Sequence, residues 1–269
     1  MNPSLVGSEM CIRDSNIDVF IFSDLRPTPQ LSYAVRHLSC NAGIVITASH
    51  NPKEYNGYKV YWSDGGQLVP PHDQEILTRV KKLKVSDIRW TKGRGEIHYL
   101  GQEIDESYLK EVEKLSLNTV SNSNLKLVFT SLHGTAITLL PEALKRFGFK
   151  NIHILESQAA PNGDFPTIES PNPEEAEALD LALQKAQEIN ADIVIGCDPD
   201  SDRVGIAVRD DKNQLILLNG NQTAAVLFDY ILNQKRITNS LPKNGFVAST
   251  VVTSNLLENI AKSYSISTY

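Results

Sequence analysis

The amino-acid sequence predicts an α/β protein of successive three-layer α/β/α domains with mixed sheets, the first and third domains incomplete. Three observations carry this expectation. Short apolar runs recur, each followed by a glycine- or asparagine-marked loop and a segment of helical period. The longest runs, around Asp18–Phe22, Ile44–Ile46 and Leu215–Leu218, are strand-sized and far short of the roughly 18 residues of a membrane span. The 269 residues, 41% hydrophobic and 22% charged, suit one large or two ordinary packed domains.

In chain order, Ile17–Phe22 reads as a strand, Pro29–Leu38 as a helix and Gly43–Ile46 as a second, buried strand. The polar stretch Thr47–Asn51 follows, and Pro52, lacking a backbone donor, stops regular structure. Asn56–Gly57 marks a turn before strand Tyr58–Trp62. Pro70–Pro71 opens a helix from His72 to about Lys84 with Ile76, Leu77, Val80 and Leu83 on one face. Lys92–Gly95 is a connector, and Asp105–Leu115 a helix linking two bodies, with a boundary near Leu115–Ser123.

The pattern then restarts with strand Leu125–Thr130, helix Pro141–Phe147 closed by Gly148, and strand Ile152–Leu155. Asn172 is the expected N-cap of the next helix, with Pro173 in its first turn, Glu174 and Glu175 facing its positive end, and Leu179, Leu183 and Ala186 on its packed face. Strands Asp192–Ile195, Val204–Val208 and Leu215–Leu218 and a helix Asn221–Leu232, capped by Asn221, complete this unit. A strand Gly245–Val252 and a helix after Ser254 begin a third that cannot bury a core alone. The domains predicted are 16–115, 116–238 and 239–269.

A net charge of −6 without a basic block argues against nucleic acid as the main partner, and no membrane partner is expected. Cys11, Cys40 and Cys197 form no CxxC pair, which favours a reducing, cytoplasmic setting. Residues 1–15 lack a targeting pattern. Within them LVGSEMCIRDS, Leu5–Ser15, resembles a translated sequencing-library adaptor and is set aside from fold reasoning.

Two polar loops follow buried strands, where open α/β sheets place ligands. The first is Thr47-Ala48-Ser49-His50-Asn51-Pro52. Ser49 is a candidate nucleophile, but no GxSxG elbow surrounds it, and a capped turn is the plain alternative. The second is Asp198-Pro199-Asp200-Ser201-Asp202-Arg203. Three alternating carboxylates repel one another unless a cation sits among them, and all-oxygen ligation selects Mg²⁺, Ca²⁺ or Mn²⁺. An EF-hand is excluded, because Arg203 and Arg209 stand where its glycine and glutamate belong. A solvated acidic turn is the alternative. A phosphorylated Ser49 bridging to a metal at Asp198, Asp200 and Asp202, with Arg203 on phosphate, joins the loops into one mechanism. They lie 149 residues apart, which predicts a site between domains.

TASHNP, KEYNGYKVYW and DPDSDR together resemble the α-D-phosphohexomutase superfamily, in its phosphoglucomutase branch, from about Asn16 to the C-terminus. The resemblance implies a four-domain mutase that moves phosphate between C1 and C6 of a hexose through a bisphosphorylated sugar. It implies Ser49 as phosphoserine and Mg²⁺ ligand, Asp198, Asp200 and Asp202 as Mg²⁺ ligands, and glucose 1,6-bisphosphate as intermediate and activator. It further implies His50 beside the phosphoserine, Lys59 as general base, and Arg203 and His133 as phosphate or substrate contacts. The partner implied is a small phosphosugar. Lys59 reads equally as a solvent-facing strand residue, and Asn219–Gln222 as a strand-to-helix turn.

The family's sugar-choosing loop and its phosphate clamp are expected to lie outside this sequence, together with part of the first domain, so the 269 residues alone should turn over poorly. Alternatives are a phosphomannomutase or phosphopentomutase, a DxD-type glycosyltransferase, or a non-catalytic phosphosugar- or metal-binding module.

Overall fold

The computed structural model describes residues 15–87, 93–117 and 123–269. Cys11, nearly all of the adaptor-like stretch and part of the expected 115–123 boundary lie outside them. The chain forms two compact units, Met1–Ala48 with Glu54–Glu111, and Ser49–Lys53 with Val112–Tyr269.

In the first unit, β1 (Val19–Phe22) pairs in parallel with β4 (Ile97–Leu100), and β2 (Ala42–Thr47) pairs antiparallel with β3 (Gly57–Trp62). β4 was not anticipated, since His98 and Tyr99 break the apolar run. Helix α1 (Thr28–His37) carries Pro29 in its first turn and packs Ala34 with Leu100 and Ile104. It lies tight on β2, because a Cβ on Gly43 would come within 2.5 Å of Val35 Cγ2. Helix α3 (Gln102–Glu113) is tied to the β1–α1 loop by Asp105. Arg26 donates to both carboxylate oxygens at 2.8 Å, and Gln30 Nε2 donates to Oδ1 at 2.7 Å. Burial alone would raise the Asp105 carboxyl, but the hydrogen bonds from Arg26 and Gln30 and the Arg26 charge hold it below the usual range. Helix α2 (His72–Val80) is shorter than expected, and most of its apolar stripe is uncovered: Leu77, Val80 and the following Leu83 are exposed and Ile76 is half-buried.

The second unit is built on a five-stranded sheet ordered β6-β5-β7-β8-β9, from β5 (Ser123–Thr130), β6 (Phe149–Ile154), β7 (Ile193–Cys197), β8 (Val204–Arg209) and β9 (Leu215–Leu218). The first two pairings are parallel and the last two antiparallel, so β8 alone runs against the other four strands in a mixed sheet. Side chains alternate across it. Val128 and Val194 face the Ala182 and Ala186 side of α5 (Ala176–Glu188), whereas Leu127, Phe129, Ile193 and Ile195 join Leu144 of α4 (Leu140–Arg146). Helices therefore cover both faces, giving the expected three layers. A Cβ on Gly196 would strike Leu179 Cδ2, so α5 sits directly on β7.

Helix α5 starts later than its sequence suggests, at Ala176 after Glu175 rather than at Asn172. Asn172 Oδ1 instead accepts from Glu174 N at 3.2 Å in a preceding turn. The reason is tertiary: the Pro173 carbonyl packs onto Gly205 of β8, where any Cβ would collide with it. Helix α6 (Gly220–Ile237) is capped by Asn219, not Asn221, in a reciprocal box with Gln222. It packs Leu232 against Ala261 of α7 (Leu256–Ser263) and Ile266, beside a short parallel pair β10 (Phe246–Val247) and β11 (Ser267–Thr268). The longer strand expected over Gly245–Val252 stops at Val247, and Val251 and Val252 are exposed. Among the described residues no helix is long and apolar enough to cross a membrane.

Candidate active site

Strands β7 and β8 are antiparallel neighbours in register Gly196↔Gly205 and Cys197↔Val204, so residues 198–203 must reverse the chain. Ser201 takes a left-handed conformation, φ 61°, and its N–H donates to Asp198 O at 3.0 Å. The tight turn gathers the acids. One carboxylate oxygen from each of Asp198, Asp200 and Asp202 lies within 4.8 Å of the others, with Asp198 and Asp200 buried and Asp202 exposed.

This concentration of negative charge has a clear electrostatic signature. Burial, followed by the hydrogen bond and charge of Asp200 and the charge of Asp202, pushes the Asp198 carboxyl up to about 7, against the opposing Arg203 N–H. Burial and the Asp198 charge push the neighbouring Cys197 thiol up to about 12, so it offers no thiolate. An all-carboxylate donor set with Asp198 and Asp200 buried fits a hard divalent cation of the Mg²⁺ type.

Ser49 meets this cluster directly. Held in a left-handed turn, φ 53°, and 8% exposed, it donates from Oγ to Asp198 Oδ2 at 3.0 Å. His50 Nδ1 lies 3.4 Å from the same Oγ. Lys53, four residues on, donates to Asp164 Oδ1 at 2.7 Å.

Of the other residues singled out in the sequence, Arg203 contributes its backbone N–H to Asp198 Oδ1 at 2.9 Å, and its side chain is exposed. Lys59 lies on β3 in the first unit, opposite Val45 and half-buried. His133 is 5% exposed, with Nδ1 3.3 Å from Ala160 O and Nε2 2.9 Å from Thr167 Oγ1. Sequence reasoning missed the bed under the acidic loop. Thr135 N donates to Pro199 O at 2.8 Å, Thr135 Oγ1 donates to the same oxygen at 3.0 Å, and Thr135 Oγ1 is 3.0 Å from Ser201 Oγ. Gly134 fits there only without a side chain, since a Cβ would approach Pro199 O to 2.6 Å. The signal available was the Leu132-His133-Gly134 run after a buried strand.

Residues 10–87 match the family model "Phosphoglucomutase/phosphomannomutase, alpha/beta/alpha domain I", and residues 106–212 match domain II of the same family. A protein of Staphylococcus epidermidis named phosphoglucomutase is 39% identical over 257 residues, spanning 93% of this chain and 46% of that protein. The chain thus spans about half the length of the curated relatives it matches. Among solved structures, a phosphoglucomutase/phosphomannomutase family protein of Burkholderia thailandensis superposes with a TM-score of 0.76 at 21% identity, over 99% of this chain and 54% of that one. An Aspergillus fumigatus N-acetylphosphoglucosamine mutase, solved with GlcNAc-6P and magnesium, gives 0.52 at 14% identity over 90% and 57% of the two chains. At these identities the structural matches speak for the fold.

Proposed function

The chain belongs to the phosphoglucomutase/phosphomannomutase family, and from that premise we propose that it carries the phosphoryl-transfer part of a phosphoglucomutase. That enzyme is an isomerase interconverting glucose 1-phosphate and glucose 6-phosphate through a phosphoserine and glucose 1,6-bisphosphate. The observation that carries the proposal is Ser49 Oγ placed 3.0 Å from Asp198 Oδ2, at the edge of a buried carboxylate cluster. The 39% identity to a named phosphoglucomutase favours glucose over mannose or a pentose.

Ser49 holds the phosphoryl group. In the forward half-reaction its Oγ–P bond breaks as a sugar hydroxyl oxygen bonds to phosphorus. The sugar hydroxyl proton goes to a base, the role we assign to Lys59 from the family motif. Released from phosphorus, the Ser49 oxygen takes up one proton from solvent, balancing the one the sugar hydroxyl gave to the base, and returns to the hydroxyl that donates to Asp198 Oδ2. Asp198, Asp200 and Asp202 would hold Mg²⁺, which when bound would supply positive charge against the transferring group's oxygens. Arg203 is assigned to phosphate and His50 to the edge of the phosphoserine. The reverse half-reaction returns a phosphoryl group from the bisphosphorylated sugar to Ser49.

A reducing, cytoplasmic setting fits the free thiols of Cys40 and Cys197 among the described residues. The test is intact-mass analysis after incubation with glucose 1,6-bisphosphate and Mg²⁺. The expected result is a gain of one phosphoryl group, mapped to Ser49 and lost in Ser49→Ala. A chain that stays unmodified, or an adduct that survives Ser49→Ala, overturns the proposal.

A further inference from the structure

Behind the acidic loop, residues 131–135 turn through two consecutive left-handed residues, Leu132 at φ 46° and His133 at φ 60°. Neither is glycine, so the surrounding structure must impose the turn. What imposes it is a directed chain of hydrogen bonds. Leu132 N–H donates to Thr130 Oγ1 at 3.1 Å, and the Thr130 hydroxyl donates to Gln158 Oε1 at 2.6 Å. Gln158 Nε2 donates to Thr167 Oγ1 at 3.0 Å. His133 Nε2 lies 2.9 Å from the same Thr167 oxygen. His133 Nδ1 then donates to Ala160 O at 3.3 Å, the only role that carbonyl allows. Gln158 is wholly buried, and the His133 backbone also bonds to Gln158 O and Asn162 N.

We propose that His133 and Thr135 are positioning residues for the aspartate loop: the chain ending on His133 fixes the 131–135 turn, and Gly134 and Thr135 present the bed on which Pro199 and Ser201 rest. The proposal rests on residues 198–203 being the metal loop. Thr135 makes three bonds from bed to loop, while Gly134 lets the Pro199 backbone approach closer than any side chain would. Removing the Thr135 hydroxyl leaves Pro199 O held by the Thr135 backbone N–H alone and frees the Ser201 hydroxyl, which loosens the loop between the ligand positions Asp198, Asp200 and Asp202, and the carboxylates lose their common geometry. His133 touches no reacting atom in this role. It acts through the turn.

The test is Mn²⁺ titration by calorimetry on the 269-residue chain, with urea unfolding of each variant alongside. Thr135→Val, which keeps shape and loses both hydroxyl bonds, should weaken Mn²⁺ binding by about 10- to 100-fold, the range typical for outer-shell partners of metal ligands. Thr135→Ser should restore it to near the wild-type value, and His133→Leu should weaken it in the same direction. Leu232→Ala, a core truncation between α6 and α7, should lower the urea midpoint yet leave Mn²⁺ affinity of the folded chain unchanged. If wild type binds Mn²⁺ and Thr135→Val binds it equally well, the positioning role is wrong and the metal loop stands. If wild type binds no Mn²⁺, the metal loop itself is wrong and the positioning role falls with it.

Discussion

Replacing Asp198 by asparagine should make the metal-free protein more stable at pH 8 while removing its response to divalent metal. The Asp198 carboxyl is 0% exposed and is pushed up to about 7 from an ordinary value of 3.8, chiefly by burial and by Asp200. Between those two values the folded protein binds a proton that the unfolded chain does not. Its stability therefore falls as pH rises from about 4 to about 7 and levels off above. A displacement of about three units corresponds to about 4 kcal/mol at 1.36 kcal/mol per unit. Asparagine mimics the protonated acid and escapes that loss, but it weakens the bonds that Oδ1 and Oδ2 accept from Arg203 N and Ser49 Oγ, at about 1 kcal/mol each. The expected net gain is about 2 kcal/mol at pH 8 in EDTA and a net loss near pH 4.5, where the wild-type acid is already neutral. Urea unfolding followed by circular dichroism between pH 4.5 and 8 measures both. Metal should reverse the order at pH 8, because only wild type binds it with the full carboxylate set. A metal-free wild type whose stability is flat or rising across that window, or an Asp198→Asn chain less stable at pH 8, would refute the electrostatic reasoning.

Asp105→Ala leaves the Arg26 guanidinium and Gln30 amide without their shared carboxylate; removing one partner of such a largely buried pair should cost about 3 kcal/mol in urea unfolding. In wild type the Asp105 carboxyl is held below its ordinary range, so its contribution is present at neutral pH and lost as pH falls through the depressed value; an acid titration should show Asp105→Ala and wild type converging there. Gly205→Ala drives a Cβ into the Pro173 carbonyl, which should cost about 1–3 kcal/mol by overpacking and shift the start of α5, readable as altered amide exchange at residues 174–178. Leu179→Ala empties a fully buried position between α5 and the sheet, with an expected loss of about 2–5 kcal/mol in the same unfolding assay.

Much of the second unit was legible because its chemistry-bearing residues stand in sharp contrast to their surroundings. Asp198–Arg203 interrupts two buried apolar strands, and Ser49 follows another short apolar run, so polarity at a strand end marked both loops. What escaped depends on contacts distant in sequence. The Thr130–Gln158 and His133–Thr167 bonds span 28 and 34 residues, and no spacing rule predicts them. The delayed start of α5 is set by Gly205 rather than by its own capping residues. The α6 cap lies in the sequence itself, since Asn219 and Gln222 stand at capping-box spacing. The exposed stripe of α2 shows the converse, since periodicity tells which residues could pack together and not whether anything covers them.

The most direct test of a shared phosphoserine and metal centre is the ³¹P resonance of the chain phosphorylated at Ser49, recorded as Mn²⁺ is added. A phosphoryl group on an oxygen that lies 3.0 Å from an Asp198 carboxylate oxygen should be broadened beyond detection at sub-stoichiometric Mn²⁺, and should stay sharp in Asp198→Asn. A wild-type phosphoserine signal that stays sharp while Mn²⁺ saturates the protein would contradict it.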